Sequence, residues 1–232
     1  MKTKKRIMKT KKSIVFIHGL WGFTFGYKYL INYFKKNNIK YHRFDYKENT
    51  GQSSIEKIAK KFDAFVKKNI KEPFVIIGLS LGGLVGSYWL EFLNTKKKCD
   101  SCIAVCSPFY GSYSAYLSSL KGIKELRPNS SILKKLRKRI SKSKIRYYVL
   151  WDPVDLIVFP GSNAKLKNAF KSRRIFSILH GFFAWPNPVK EIVDEIMLKW
   201  RGGKFKNYFF IVFLWIIIKI LVGEELEVLM IL

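Results

Sequence analysis

Ser80 stands in Gly78-Leu79-Ser80-Leu81-Gly82, a G-x-S-x-G pentapeptide. An apolar run, Phe74-Val75-Ile76-Ile77, precedes it and a helix-forming stretch from Leu81 to Asn94 follows. A sharp strand-to-helix turn needs small residues on both sides of the serine, because the serine backbone must adopt a strained conformation. That turn pushes Oγ out of the sheet and sets the positive end of the helix dipole beneath it. A glycine-rich turn that only packs a helix on a strand is the plain alternative. The order of strand, motif and helix favours a nucleophile.

A serine hydroxyl is too weakly acidic to attack without a base. The chain offers three histidines. His18 precedes Gly19 at the end of an apolar run, where a backbone turn is the better reading, and His42 falls inside a strand pattern, where a structural role is. His180 follows the last predicted strand and precedes the last core helix, so elimination and chain order assign it as the base. A carboxylate that fixes the imidazole tautomer is expected between serine and histidine. Trp151-Asp152-Pro153-Val154-Asp155 directly follows a predicted strand and holds two candidates. Asp155, deeper in the loop, is the first choice. Asp152 is the alternative acid, or else holds the turn that Pro153 stiffens.

The elements that must position these residues alternate in periodicity. Short apolar runs predict strands at Ile14–Ile17, Tyr41–Tyr46, Phe74–Ile77, Ile103–Cys106, Tyr147–Leu150 and Arg174–Leu179. Between them, Tyr27, Leu30, Ile31 and Phe34 share one helical face. Ser53 with Glu56 reads as a capping box opening a helix with Ile55, Ile58, Phe62, Phe65 and Val66 on one side. A last helix is predicted with Asn187 as cap, Pro188 at its start, and Val189, Ile192, Val193, Ile196, Met197 and Trp200 in register. Such alternation implies an α/β fold with a mainly parallel sheet covered on both faces.

Composition sets the outer bounds. A chain of 232 residues that is 48% hydrophobic can bury a sizeable core, which excludes a disordered or collagen-like protein. Three cysteines do not make a disulfide scaffold; Cys99-Asp-Ser-Cys102 has half-site spacing without a second pair, so these thiols and Cys106 read as buried or incidental. The formal charge of +28 draws anionic partners such as lipid headgroups, or reflects compositional bias alone. No recognition motif supports specific nucleic-acid binding.

Residues 1–12 form a basic extension in which Met1-Lys-Thr-Lys-Lys recurs at Met8, and residues 13–201 form the catalytic domain. Within it, 109–144 is a basic insertion with an amphipathic helix, Ile132, Leu133, Leu136 and Ile140 on one side, readable as a lid or as a charged helix packed over the sheet. Residues 202–232 form a hydrophobic tail. Its stretch 208–222 is shorter than the ~20 residues a bilayer span needs and is interrupted by Lys219. Lys199, Arg201, Lys204 and Lys206 before it and Glu224, Glu225 and Glu227 after it imply a cytoplasmic domain anchored at the inner membrane face; a hydrophobic hairpin or core element is the alternative.

Together these residues resemble the α/β-hydrolase superfamily, and within it small bacterial lipases and esterases of the triacylglycerol lipase type. Ile17-His18-Gly19-Leu20 is similar to the family's oxyanion loop and Gly78 to Gly83 to its nucleophile elbow. Ser107-Pro108-Phe109-Tyr110-Gly111-Ser112, Pro128-Asn129-Ser130-Ser131-Ile132-Leu133 and the Asp155 loop resemble further lipase motifs. The resemblance covers residues 13–200 and implies a minimal sheet of about six strands with helices on both faces. It implies a Ser80–His180–Asp155 triad, an oxyanion hole from the N–H groups of Leu20 and Leu81, with Trp21 as a further donor, and no metal or organic cofactor. The implied activity is hydrolysis of a lipid-like acyl ester. An acyltransferase or thioesterase using the same triad is the catalytic alternative, and a basic membrane-binding protein on an inactive scaffold the non-catalytic one.

Overall fold

A computed structural model describes residues 12–22, 25–47, 49–176, 180 and 186–197. The chain divides into two units, Met1–Lys199 and Trp200–Leu232, and the described residues all belong to the first. The basic extension up to residue 11 and the whole hydrophobic tail therefore lie outside the described residues. Among those described, no helix is long and apolar enough to cross a membrane.

Six strands form one sheet in the order β2-β1-β3-β4-β5-β6, every neighbouring pair parallel. They are β1 Ser13–Ile17, β2 Tyr41–Phe44, β3 Phe74–Leu79, β4 Cys99–Val105, β5 Arg146–Trp151 and β6 Lys171–Arg174. The helices are α1 Phe25–Lys36, α2 Ile55–Asn69, α3 Leu81–Phe92, the short α4 Lys121–Lys124, α5 Ser131–Ile140 and α6 Pro186–Met197. Successive residues of a strand point to opposite faces, and the core divides accordingly. Val15, Ile17, Phe74 and Ile76 pack with α2, α3 and α5, while Ile14, Phe16, Val75 and Ile77 pack with α1 and α6. The expected α/β-hydrolase architecture is therefore present, with helices on both faces of a parallel sheet.

Four boundaries differ from expectation for identifiable reasons. The helix α2 is capped by Ser54, whose Oγ accepts from Lys57 N–H at 3.2 Å, and not by Ser53, which is buried. Its first amide, Ile55 N–H, donates instead to Glu125 Oε2 at 2.7 Å, a carboxylate far along the chain, while Glu56 pairs with Lys60 on the helix surface. The strand β6 runs over Lys171–Arg174 and not over the apolar residues after it. Its four side chains are exposed at the sheet edge, so no hydrophobic pattern marks it. Ladder bonds to β5 hold it, and Lys171–Glu195 and Arg173–Glu191 ion pairs tie it to α6. Residues 177–179 of the expected last strand lie outside the described residues. The helix α6 starts at Pro186, two residues before the expected Pro188. The strand β4 begins at Cys99, four residues early, because it continues past the exposed Asp100 that an apolar pattern skips.

The basic insertion holds α5, whose Leu133 and Leu136 are fully buried in the core cluster shared with α3. Arg137 donates to the Phe109 carbonyl at 2.6 Å and Arg139 to the Glu91 carbonyl at 3.1 Å, fastening the helix to the start of the insertion and to α3.

Candidate active site

β3 and α3 meet at Ser80, whose backbone sits at φ 53°, ψ −121°. A non-glycine residue there carries strain of order 1–3 kcal/mol, and the surrounding chain holds it in place. Ser80 N–H donates to the Val105 carbonyl at 2.8 Å. The helix doubles back so closely on the strand that a Cβ on Gly78 would lie 2.5 Å from the backbone of Gly83. A Cβ on Gly82 would lie 2.1 Å from the Ile17 carbonyl oxygen. Only glycine fits at either position, which gives the G-x-S-x-G spacing its physical reason.

The loop after β1 lies against the same serine, since a Cβ on Gly19 would fall 3.0 Å from Ser80 Cβ. Leu20 follows directly. Leu20 and Leu81 each stand at the first residue of a helical turn, Leu81 at the start of α3, and neither amide donates to a backbone carbonyl of another element among the described residues. Trp21 differs from the sequence expectation: its N–H donates to the Asn49 carbonyl at 2.8 Å with φ at 57°, so that amide is already committed to holding the loop.

The three histidines separate cleanly. His18 is buried, with Nδ1 2.8 Å from the Gly19 carbonyl and Nε2 accepting from Tyr46 N–H at 3.3 Å. Its ring stacks on Tyr46 at 4.2 Å between centroids, and Tyr46 Oη donates back to the His18 carbonyl at 3.0 Å. Both nitrogens are used, and burial holds its pKa below the ordinary histidine value, so His18 is a neutral buttress of the loop. His42 Nε2 lies 3.0 Å from Glu72 Oε1, an ion-pairing position on the outer strand β2.

His180 Nδ1 lies 2.7 Å from Asp155 Oδ2, with φ at 49°. Its Nε2 is buried and has no hydrogen-bond partner among the described residues. Asp155 is itself buried and its other oxygen accepts from the N–H groups of Ile157 and Val158, each at 2.8 Å. A carboxylate fixed in this way presents one oxygen to the imidazole in a set direction. Asp152 Oδ1 accepts from Val154 N–H at 3.0 Å and so braces the turn after β5. The structure thus brings His180 together with Asp155, while no hydrogen bond joins His180 Nε2 to Ser80 Oγ.

Sequence reasoning missed one neighbour. Cys106, at the end of β4 with φ at 47°, places Sγ so that it, an Asp155 oxygen and a His180 nitrogen all lie within 4.8 Å of one another. These donor types suit a divalent metal, but burial first, and then the carboxylates of Asp155 and Asp152, push the thiol pKa well up and keep it protonated. The Asp155 oxygens already take N–H and imidazole partners. The available signal was positional: Cys106 directly follows β4 as Ser80 directly follows β3, and the parallel register pairs Leu79 with Val105 just before them.

A family model for lecithin:cholesterol acyltransferase matches residues 28–228. No curated protein matches the chain. Among solved structures, the mature lipase BlEst2 of Bacillus licheniformis is similar at a TM-score of 0.62 and 16% identity, covering 81% of this chain and 92% of that one. Mouse alpha/beta hydrolase domain-containing protein 10 is similar at a TM-score of 0.56 and 15% identity, covering 82% of this chain and 92% of that one. Phospholipase PlaB of Legionella pneumophila is similar at a TM-score of 0.51 and 19% identity, covering 61% of this chain. The match spans only 37% of the length of the Legionella enzyme. At these identities the likeness speaks to the fold. The match to the family model goes further: the chain belongs to the lecithin:cholesterol acyltransferase family, built on an α/β-hydrolase fold.

Proposed function

We propose that this protein is a serine carboxylester hydrolase of lipase type, with Ser80 as nucleophile, His180 as general base and Asp155 as the acid that orients it. Family membership supports an enzyme acting on lipid esters, by hydrolysis or by acyl transfer. The observation that carries the finer reading is the imidazole of His180. One nitrogen is held on Asp155 at 2.7 Å and the other is buried with no hydrogen-bond partner among the described residues, an arrangement that leaves a proton acceptor in reserve.

In this mechanism His180 Nε2 takes the Ser80 hydroxyl proton as Oγ attacks the ester carbonyl carbon. The negative charge that develops on the carbonyl oxygen is met by the N–H groups of Leu20 and Leu81. One such donor contributes about 3–4 kcal/mol of transition-state stabilisation in serine hydrolases. The imidazolium then protonates the departing alcohol as its C–O bond breaks, leaving an acyl group on Ser80. Water deprotonated by His180 releases the acid and restores the serine. An acceptor alcohol in place of water would complete an acyl transfer by the same steps, and the family's name favours that as the second reading.

Hydrolysis of nitrophenyl esters of increasing chain length tests the proposal. Turnover lost in both Ser80→Ala and His180→Ala supports it, and turnover that survives Ser80→Ala overturns it. Free acid and acyl-transfer product, measured with a long-chain alcohol present, distinguish the two readings.

A further inference from the structure

The residues beyond β4 and β5 leave an unusual amount of apolar surface in water. A 3-10 turn at Tyr113–Leu117 exposes Tyr113 and Leu117, the latter to 91%. The loop that carries Asp155 exposes Leu156, Ile157 and Phe159, with Leu156 at 65%. Single exposed apolar residues are ordinary, but a connected group of them calls for an occupant.

This group is connected and braced. Tyr113 N–H donates to the Phe159 carbonyl at 2.9 Å, and Phe159 N–H donates to Ser112 Oγ at 2.8 Å. Ser112 Oγ and Ser114 Oγ donate to the Ile157 carbonyl at 2.8 and 2.6 Å. The turn and the acid loop are therefore one platform, stitched by backbone and hydroxyl groups whose polar needs are met within it, so its apolar side chains are presented outward. The same loop places the Asp155 carboxylate that receives His180.

Charge identifies the partner. From Phe109 to Phe176 the only acidic residues are Glu125, Asp152 and Asp155, and none is exposed. Lysines and arginines recur through the segment, and Arg127 reaches back to the turn, with Nε to the Ala115 carbonyl at 3.2 Å and its guanidinium over the Tyr116 ring. Exposed apolar side chains in a segment rich in lysine and arginine and without an exposed acid fit a lipid–water interface with anionic headgroups: the side chains enter the acyl boundary and the cations meet phosphate.

We infer that the platform formed by the Tyr113–Leu117 turn and the Asp155 loop docks on an anionic lipid surface. This rests on the proposed lipid-ester function and extends it, because docking there sets the loop that carries Asp155 against the source of substrate.

The test uses the full chain carrying Ser80→Ala, so that no turnover contributes. An environment-sensitive fluorophore is attached at Leu117→Cys, Leu156→Cys or, as control, Lys68→Cys. Lys68 is exposed in the last turn of α2, which leads to the N-terminal edge of the sheet, opposite the edge bearing Ser80. The native thiols are buried and do not compete for the label. Vesicles of phosphatidylglycerol or phosphatidylcholine contain a quencher within the acyl region.

The expected result is quenching and a blue shift at 117 and 156 with phosphatidylglycerol, weaker with phosphatidylcholine, and neither at 68. Leu156→Asp is expected to weaken the quenching of the probe at 117 by roughly tenfold in lipid concentration. Vesicle binding with 117 and 156 no more quenched than 68 would overturn the inference, since another part of the chain would then carry the contact. A blue shift that depends on protein concentration and not on lipid would also overturn it, in favour of self-association. Because Ser80→Ala is used throughout, failure of docking and failure of the catalytic reading give separate signals.

Discussion

The space that a Cβ on Gly82 would need lies 2.1 Å from the carbonyl oxygen of Ile17, so the helix after Ser80 and the strand before the Gly19–Leu20 loop touch backbone to backbone. This contact fixes the two candidate oxyanion amides relative to each other, because Leu81 N–H precedes Gly82 and Leu20 N–H lies shortly after Ile17. Gly82→Ala is expected to destabilise the protein by about 1–3 kcal/mol or more, since neither backbone is free to yield. The thermal midpoint of the variant checks this, and an unchanged midpoint would contradict the packing described.

Asp155 and Asp152 are expected to respond differently to removal of charge. Asp155→Asn keeps one acceptor oxygen but loses the carboxylate that holds the imidazole tautomer. Its kcat on a nitrophenyl ester should fall on the order of 10⁴-fold, the effect seen when a triad acid is neutralised. Asp152→Asn should act mainly on stability, through the turn that its Oδ1 holds at Val154 N–H. Comparing kcat with thermal midpoint in the two variants separates the roles.

Acid stability should reflect two groups held in their pH-sensitive forms. Burial keeps His18 neutral and its pKa below 6.5, so the unfolded chain binds this proton more readily, and stability falls as pH drops below 6.5. Burial pushes the Glu72 carboxyl up, but hydrogen bonds from His42 and Lys40 prevail and hold it at about 2. Its contribution is complete above the ordinary value of 4.5 and is lost as pH falls from there toward about 2. Thermal midpoints across this range should drop less steeply in Glu72→Gln below 4.5, and an NMR titration should show the His18 imidazole protonating below 6.5.

All three cysteines are buried with raised thiol pKa values, Cys99 to about 12, because burial penalises the thiolate. Iodoacetamide should leave the native protein unmodified and alkylate all three sites after denaturation. Rapid native labelling of Cys106 would contradict its burial beside Asp155 and His180.

Much of this was legible in the sequence because it depends on local patterning. The apolar runs of β1, β3 and β5 and the glycines around Ser80 announce themselves, since burial on both faces and a backbone that admits no Cβ each require particular residue types. What escaped depends on partners distant in the chain. The amide of Ile55 is capped by Glu125, and β6 is held at the edge by backbone bonds and by ion pairs to α6, so neither leaves a periodic trace. The approach of Cys106 to Asp155 and His180 follows from parallel register, which a linear pattern does not display. Asp155 and Asp152 could be ranked by position, and their distinct hydrogen bonds became visible only in three dimensions.

The proposed role of Ser80 as an activated nucleophile is tested most directly by exposing the folded protein to a fluorophosphonate and locating the added mass by peptide sequencing. Modification is expected at Ser80, absent in Ser80→Ala, strongly slowed in His180→Ala and retained in Cys106→Ala. A folded protein that takes no label, or takes it at a residue other than Ser80, would contradict it.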